Sequence, residues 1–114
     1  MPTLGEHQQV VDQWIQQFEE GYWPPLSMLA AITEEVGEVA RVVNALEGHK
    51  PTKQSQTKDQ MLVLLGEELG DLLFAIICLA NDCKVDLDES LHRTLAKYNV
   101  RDLDRWTLKE DIDR

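Results

Sequence analysis

The chain has 114 residues, a formal net charge of −10 and only 11 Lys and Arg side chains. That length supports one domain with a modest core, and the acidic balance excludes nonspecific nucleic-acid binding, which relies on Lys and Arg neutralising phosphates. The longest apolar run, Leu72–Ala80, is about half of a membrane span, and the first residues lack the basic and apolar regions of a signal peptide, so residues 1–114 are expected to form a single cytoplasmic domain without membrane contact.

Thr3 and Glu6 make a T-x-x-E capping box opening a first helix, with Val10, Val11, Trp14, Ile15 and Phe18 as its apolar stripe and an end near Gly21. Tyr22-Trp23-Pro24-Pro25 is a rigid turn, with Pro25 suited to the first turn of a second helix reaching about Glu47. On that helix Ile32, Val36, Val39 and Val43 form one apolar face, while Ala31, Val42 and Ala45 lie among Glu34, Glu35 and Glu38. Gly48–Lys58 is polar, has three lysines and no acid, and is expected to be a mobile loop and a candidate lid.

Thr57 and Gln60 offer a box for a third helix, which continues into the all-round apolar Leu72–Ala80 run. In so small a chain that run predicts packing of Leu72, Phe74, Ile76 and Ile77 partly against a second subunit. Asp86 and Glu89 open a fourth helix on which Arg93, Lys97 and Arg101 share a face. Strand signals are absent, so the expected fold is all-α, a four-helix, bundle-like subunit assembling as a dimer or dimer of dimers. Cys78 and Cys83 have no second pair, no HExxH pattern is present, and the single ExxH, Glu89–His92, has no second copy as a di-iron bundle requires, which removes zinc and di-iron readings.

The second and third helices carry one acidic cassette twice, as EEVGE at Glu34–Glu38 and EELGD at Glu67–Asp71. At about 100° per residue the three acids of each cassette fall on one helix face. Carboxylates about 5 Å apart repel by roughly 3 kcal/mol at an effective dielectric of 20, so two facing cassettes would need a hard divalent cation with oxygen ligands. A single such cassette is ordinarily a solvated helix face; the duplication argues for a shared cage. Gly37 and Gly70 each cost a helix interior about 1 kcal/mol relative to Ala, which predicts a backbone or ligand approaching closely there.

EEVGE followed by EELGD resembles the EExxE…ExxD signature of MazG-type nucleoside triphosphate pyrophosphohydrolases, an all-α family related to dimeric dUTPases and dCTPases. The resemblance extends through FEEGYWPPLSMLAAITEEVGEVARVVN at Phe18–Asn44 and LAKYNVRDLDRW at Leu95–Trp106. It implies that Glu35, Glu38, Glu68 and Asp71 bind Mg²⁺, with Mn²⁺ able to substitute. Glu34 would hold a further ion or orient water, and Lys97, Asn99 and Arg101 would contact triphosphate and nucleoside. Glu34 or Glu35 would accept the proton of the attacking water, and Lys97 and Arg101 would stabilise charge on departing pyrophosphate.

For the base, Trp14 with Phe18, or Trp23 or Tyr98, offers a stacking surface that tolerates any base. The expected activity is Mg²⁺-dependent hydrolysis of a nucleoside triphosphate to monophosphate and pyrophosphate by a homodimer or homotetramer, and the family likeness suggests nucleotide-pool house-cleaning. Two other readings stand beside it: a regulatory helical bundle of the same fold that binds nucleotide or protein without turnover, and a phosphohydrolase acting on a non-nucleotide pyrophosphate.

Overall fold

The computed structural model describes residues 1–48 and 56–109, which hold four helices and no strand: α1 (Leu4–Gln16), α2 (Pro25–Leu46), α3 (Lys58–Asp82) and α4 (Leu87–Asp102). Residues 49–55, and with them most of the expected lid, lie outside the described residues. No described helix is long and apolar enough to cross a membrane.

Helix starts follow local chemistry. Thr3 accepts from the Glu6 amide while Glu6 reaches back to the Thr3 amide, and Thr57 and Gln60 repeat the exchange at α3. At α4 Asp86 caps the Glu89 amide, but the Glu89 carboxylate turns to Arg93 at 2.7 Å instead of completing a box. Pro25 occupies the first turn of α2, where no amide donor is needed.

The first helix ends at Gln16 rather than near Gly21. A tighter Phe18 amide to Ile15 carbonyl bond breaks the α pattern, and Gly21 then turns the chain at φ 60°. α3 closes through Lys84, also at φ 60°, with the Val85 amide on the Ala80 carbonyl at 2.8 Å and the Lys84 amide on that of Asn81 at 3.2 Å. This is a Schellman closure with lysine in the position usually given to glycine.

α2 and α3 make the principal helix pair; α1 lies on α3, and α4 on α1. Met28 shares a cavity with Cys78 while Glu35 meets Asp71, so α2 and α3 run antiparallel. The face of α2 turned inward is not the all-apolar one. Val42 is 2% exposed and Met28 4%, whereas Val36 and Val43 remain 49% and 40% exposed. Met28, Glu35 and Val42 are spaced by seven and stand in line on one face, so the acidic cassette of α2 points toward α3.

The arrangement is open. The radius of gyration is 18.2 Å, against about 13 Å for a compact domain of this length. Ile77 is buried inside the chain, while Phe74 and Ile76 stay exposed, and α4 buries none of its residues. Leu91, Leu95, Tyr98, Val100, Leu103 and Trp106 are all exposed along α4 and just beyond it. Its tether to the rest includes Asp88, which accepts from the Gly5 amide at 2.9 Å; a Cβ at position 5 would sit 2.5 Å from that carboxylate.

Candidate metal centre and its aromatic cavity

The inward face of α2 presents Glu35, and α3 presents Glu68, Asp71, Ala75 and Cys78 at the i, i+3, i+7 and i+10 spacing of one helix face. One carboxylate oxygen from each of Glu35, Glu68 and Asp71 lies within 4.8 Å of the others. Among the described residues no Lys or Arg pairs with any of the three. Partial burial first, then the charges of Asp71, Glu68, Glu34 and Glu38, raise the Glu35 carboxyl above its ordinary 4.5. Three unpaired carboxylates from two helices are a donor set for a hard, oxygen-preferring cation such as Mg²⁺ or Mn²⁺, and offer no nitrogen or sulfur ligand to a softer one.

The remaining acids are placed differently. Glu38 accepts from Arg41 Nη2 at 2.7 Å and Nε at 3.2 Å, and stands outside the trio. Glu34 is exposed beside Glu35, close enough to act on its proton affinity, and Glu67 is exposed. A Cβ built at Gly37 or Gly70 meets nothing within 4 Å, so the close approach expected at those glycines is not made among the described residues.

Beside the acids lies a cavity of about 550 Å³ whose lining includes Trp14, Phe18, Tyr22, Trp23, Met28, Phe74 and Cys78, with Glu35 and Asp71 at one side. Trp14 is its aromatic hub, with ring centroids 5.1 Å from Phe18 and 6.0 Å from Phe74, both edge-on. Glu35 and Asp71 therefore belong to the carboxylate trio and to the aromatic cavity at once. Burial and a hydrogen bond to Asp12 push the Tyr22 phenol up to about 12, so it keeps its proton.

Lys97, Asn99 and Arg101 are exposed on α4 and do not line this cavity. Lys97 and Arg101 bracket the Tyr98 ring at 5.0 and 4.7 Å, and Arg101 also pairs with Asp102 at 2.9 Å. One chain thus brings Trp14 to the acids and leaves the basic stripe on a separate helix.

Sequence reasoning missed Gln8, Asp12, Tyr22 and Asn81, which hydrogen-bond to one another behind the cavity. A signal existed. Gln8 precedes Val11 and Ile15 by three and seven residues, and Asn81 follows Cys78 by three, so each is a polar residue set on an apolar face.

Residues 24–106 match the family model described as the MazG nucleotide pyrophosphohydrolase domain. The chain is 47% identical over 109 residues to YpjD of Bacillus subtilis (strain 168), covering 96% of this chain and 95% of that protein. It is 32% identical over 72 residues to dCTP pyrophosphatase 1 of Bos taurus, covering 63% of this chain and 42% of that one. The crystal structure of Bacillus subtilis YpjD superposes with a TM-score of 0.75 at 42% identity, over 87% of this chain and 97% of the other. That of the Bacillus-conserved MazG protein, a nucleotide pyrophosphohydrolase, gives 0.73 at 36% identity, over 100% and 98%.

Proposed function

The chain belongs to the MazG nucleotide pyrophosphohydrolase family, and on that basis we propose that it cleaves nucleoside or deoxynucleoside triphosphates to monophosphate and pyrophosphate with Mg²⁺ or Mn²⁺. The observation that carries the proposal is the sharing of Glu35 and Asp71 between the carboxylate trio and the aromatic cavity. A ligand that is apolar and flat at one end and anionic at the other, joined over a few ångströms, suits that juxtaposition.

Glu35, Glu68 and Asp71 would hold the cation, with Glu38 joining them from its pairing with Arg41. When bound, a divalent ion lowers the pKa of coordinated water and neutralises phosphate charge. Trp14, Phe18 and Trp23 take the base, since stacking on aromatic faces needs no particular base. Glu35, or Glu34 beside it, accepts the proton of the water that attacks the α phosphorus. The apolar walls limit competing water around that phosphorus.

Lys97, Asn99 and Arg101 contribute as substrate contacts through assembly. The open shape and the unburied apolar side chains of α4 support a homodimer or homotetramer, in which a neighbouring copy covers α4 and its basic stripe meets a triphosphate. Clearance of surplus or noncanonical nucleotides in the cytoplasm is the corresponding cellular task.

A panel of dNTPs, NTPs and modified nucleotides with Mg²⁺, resolving pyrophosphate from orthophosphate, tests this reading. Pyrophosphate and monophosphate as first products are expected. Orthophosphate as the first product overturns the cleavage position, and tight nucleotide binding without turnover points to a regulatory bundle instead.

A further inference from the structure

The segment joining α1 to α2 supplies Phe18, Glu20, Gly21, Tyr22 and Trp23 to the cavity, yet it has no helix of its own to hold it. Among the described residues, the side-chain hydrogen bonds that tie it to α1 and α3 are those of one phenol. Tyr22 OH donates to Asp12 Oδ1 on α1 at 2.6 Å and accepts from Asn81 Nδ2 on α3 at 3.0 Å.

The groups behind that phenol are themselves fully engaged. The second Nδ2 proton of Asn81 goes to the Gln8 carbonyl at 2.9 Å, and Asn81 Oδ1 accepts from Gln8 Nε2 at 3.0 Å. Gln8, the one buried polar residue among the described residues, gives its other Nε2 proton to the Val85 carbonyl at 2.9 Å, and its Oε1 accepts from the Leu87 amide at 2.9 Å. Both amide side chains therefore use every donor they have and accept at oxygen as well. Neither has a competing arrangement of equal satisfaction, which is what makes such a network rigid.

Its placement gives the rigidity a direction. Asn81 lies ten residues beyond Asp71 on α3, and the intervening Cys78 lines the cavity on the same face. The network thus fixes the aromatic wall against the helix that carries Glu68 and Asp71. A substrate held at both ends needs that distance fixed, because the reacting phosphorus is placed correctly only if base and phosphate sites keep their separation.

We infer that Asp12 and Asn81, acting through Tyr22, are positioning residues that set the aromatic wall for nucleoside binding. The inference rests on the proposed nucleotide reading of the cavity and adds residues that touch neither base nor phosphate.

Tyr22→Phe keeps the ring and removes only the hydroxyl, so it is the mild variant; Asp12→Ala removes the acceptor, and Asp12→Asn restores one. Binding of an α,β-methylene nucleoside triphosphate is read by quenching of tryptophan fluorescence, to which Trp14 and Trp23 report from the cavity, and turnover is followed in parallel. Tyr22→Phe and Asp12→Ala are expected to weaken nucleotide binding and raise KM about five- to tenfold, the scale of one lost orienting hydrogen bond. The expected change in kcat is less than threefold, with Asp12→Asn recovering most of the affinity and inhibition by inorganic tripolyphosphate unchanged, since it has no nucleoside. Unaltered affinity in both variants, or equal weakening of nucleotide and tripolyphosphate, overturns the inference. Wild-type protein that binds the analogue but releases no pyrophosphate refutes the hydrolase reading while leaving this one to the binding data; wild-type protein that shows no quenching overturns the inference as well.

Discussion

The two acidic cassettes are near copies in sequence and unequal in place. On α2 the third acid, Glu38, is occupied by Arg41 three residues on; at the equivalent position on α3, 33 residues later, stands Phe74, and the third acid there, Asp71, is left to face Glu35. A duplicated motif does not give duplicated ligands. The residue one turn beyond each acid on its own helix decides whether the carboxylate is spent on a neighbouring base or offered across the seam. The α3 copy is thereby the more committed half of the site, contributing two of the three convergent oxygens and one wall of the cavity.

Five substitutions at the acids and their neighbours probe that contrast. Asp71→Asn and Glu35→Gln should each lower kcat/KM more than about a hundredfold, the scale of removing a principal electrostatic contact in an active site, with helix content by circular dichroism unchanged. Glu38→Gln should also impair turnover but less, since that carboxylate stands apart; a Glu38 variant more damaged than the Asp71 variant would invert the ranking. Phe74→Arg supplies α3 with the base it lacks and should weaken activation by Mg²⁺ about 10–100-fold, as loss of a supporting contact around a metal does; Mg²⁺ dependence equal to wild type would show that Asp71 is not open to capture. The reverse change, Arg41→Gln, should tighten Mg²⁺ activation only a few-fold and leave the melting temperature close to wild type, because the Arg41–Glu38 pair is exposed.

The smallest effect concerns Asp12, behind the cavity. Its hydrogen bond from Tyr22 and then that from Gln16 hold its carboxyl below the usual 3.8. The ionised form is the bonded one, so its contribution to stability is whole above 3.8 and is lost as pH falls through the lower folded value. Asp12→Asn should melt slightly below wild type at neutral pH, with the gap closing as the pH drops below 3.8. A gap of constant size would mean that the charge of Asp12 has no part in it.

Much of the fold is legible in the sequence because its determinants are local. Thr3 with Glu6 and Thr57 with Gln60 specify helix starts by themselves, and Pro25 needs no tertiary help to open α2. Spacing misplaces the end of α1 because Phe18 continues the apolar stripe while its ring belongs to the cavity wall. The inward face of α2 is harder still. Periodicity ranks Val36 and Val43 as core, and only the packing of α3 shows that Met28, Glu35 and Val42 take that side. Glu35, Glu68 and Asp71 emerge from the repeat, whereas the engagement of Glu38 by Arg41 depends on side-chain rotamers that spacing alone does not set. Lys97, Asn99 and Arg101 lie on a helix that buries none of its residues and do not line the cavity beside the acids, so spacing along α4 does not tell how they stand relative to the acids.

Everything proposed for the acids requires that one divalent cation be held between α2 and α3 by Glu35, Glu68 and Asp71. Electron paramagnetic resonance of Mn²⁺ titrated into wild-type protein and into the Glu35→Gln, Glu68→Gln and Asp71→Asn variants measures this directly. Bound Mn²⁺ in the wild type that is lost or strongly weakened in each variant is the predicted result; Mn²⁺ held equally well by all four proteins would contradict it.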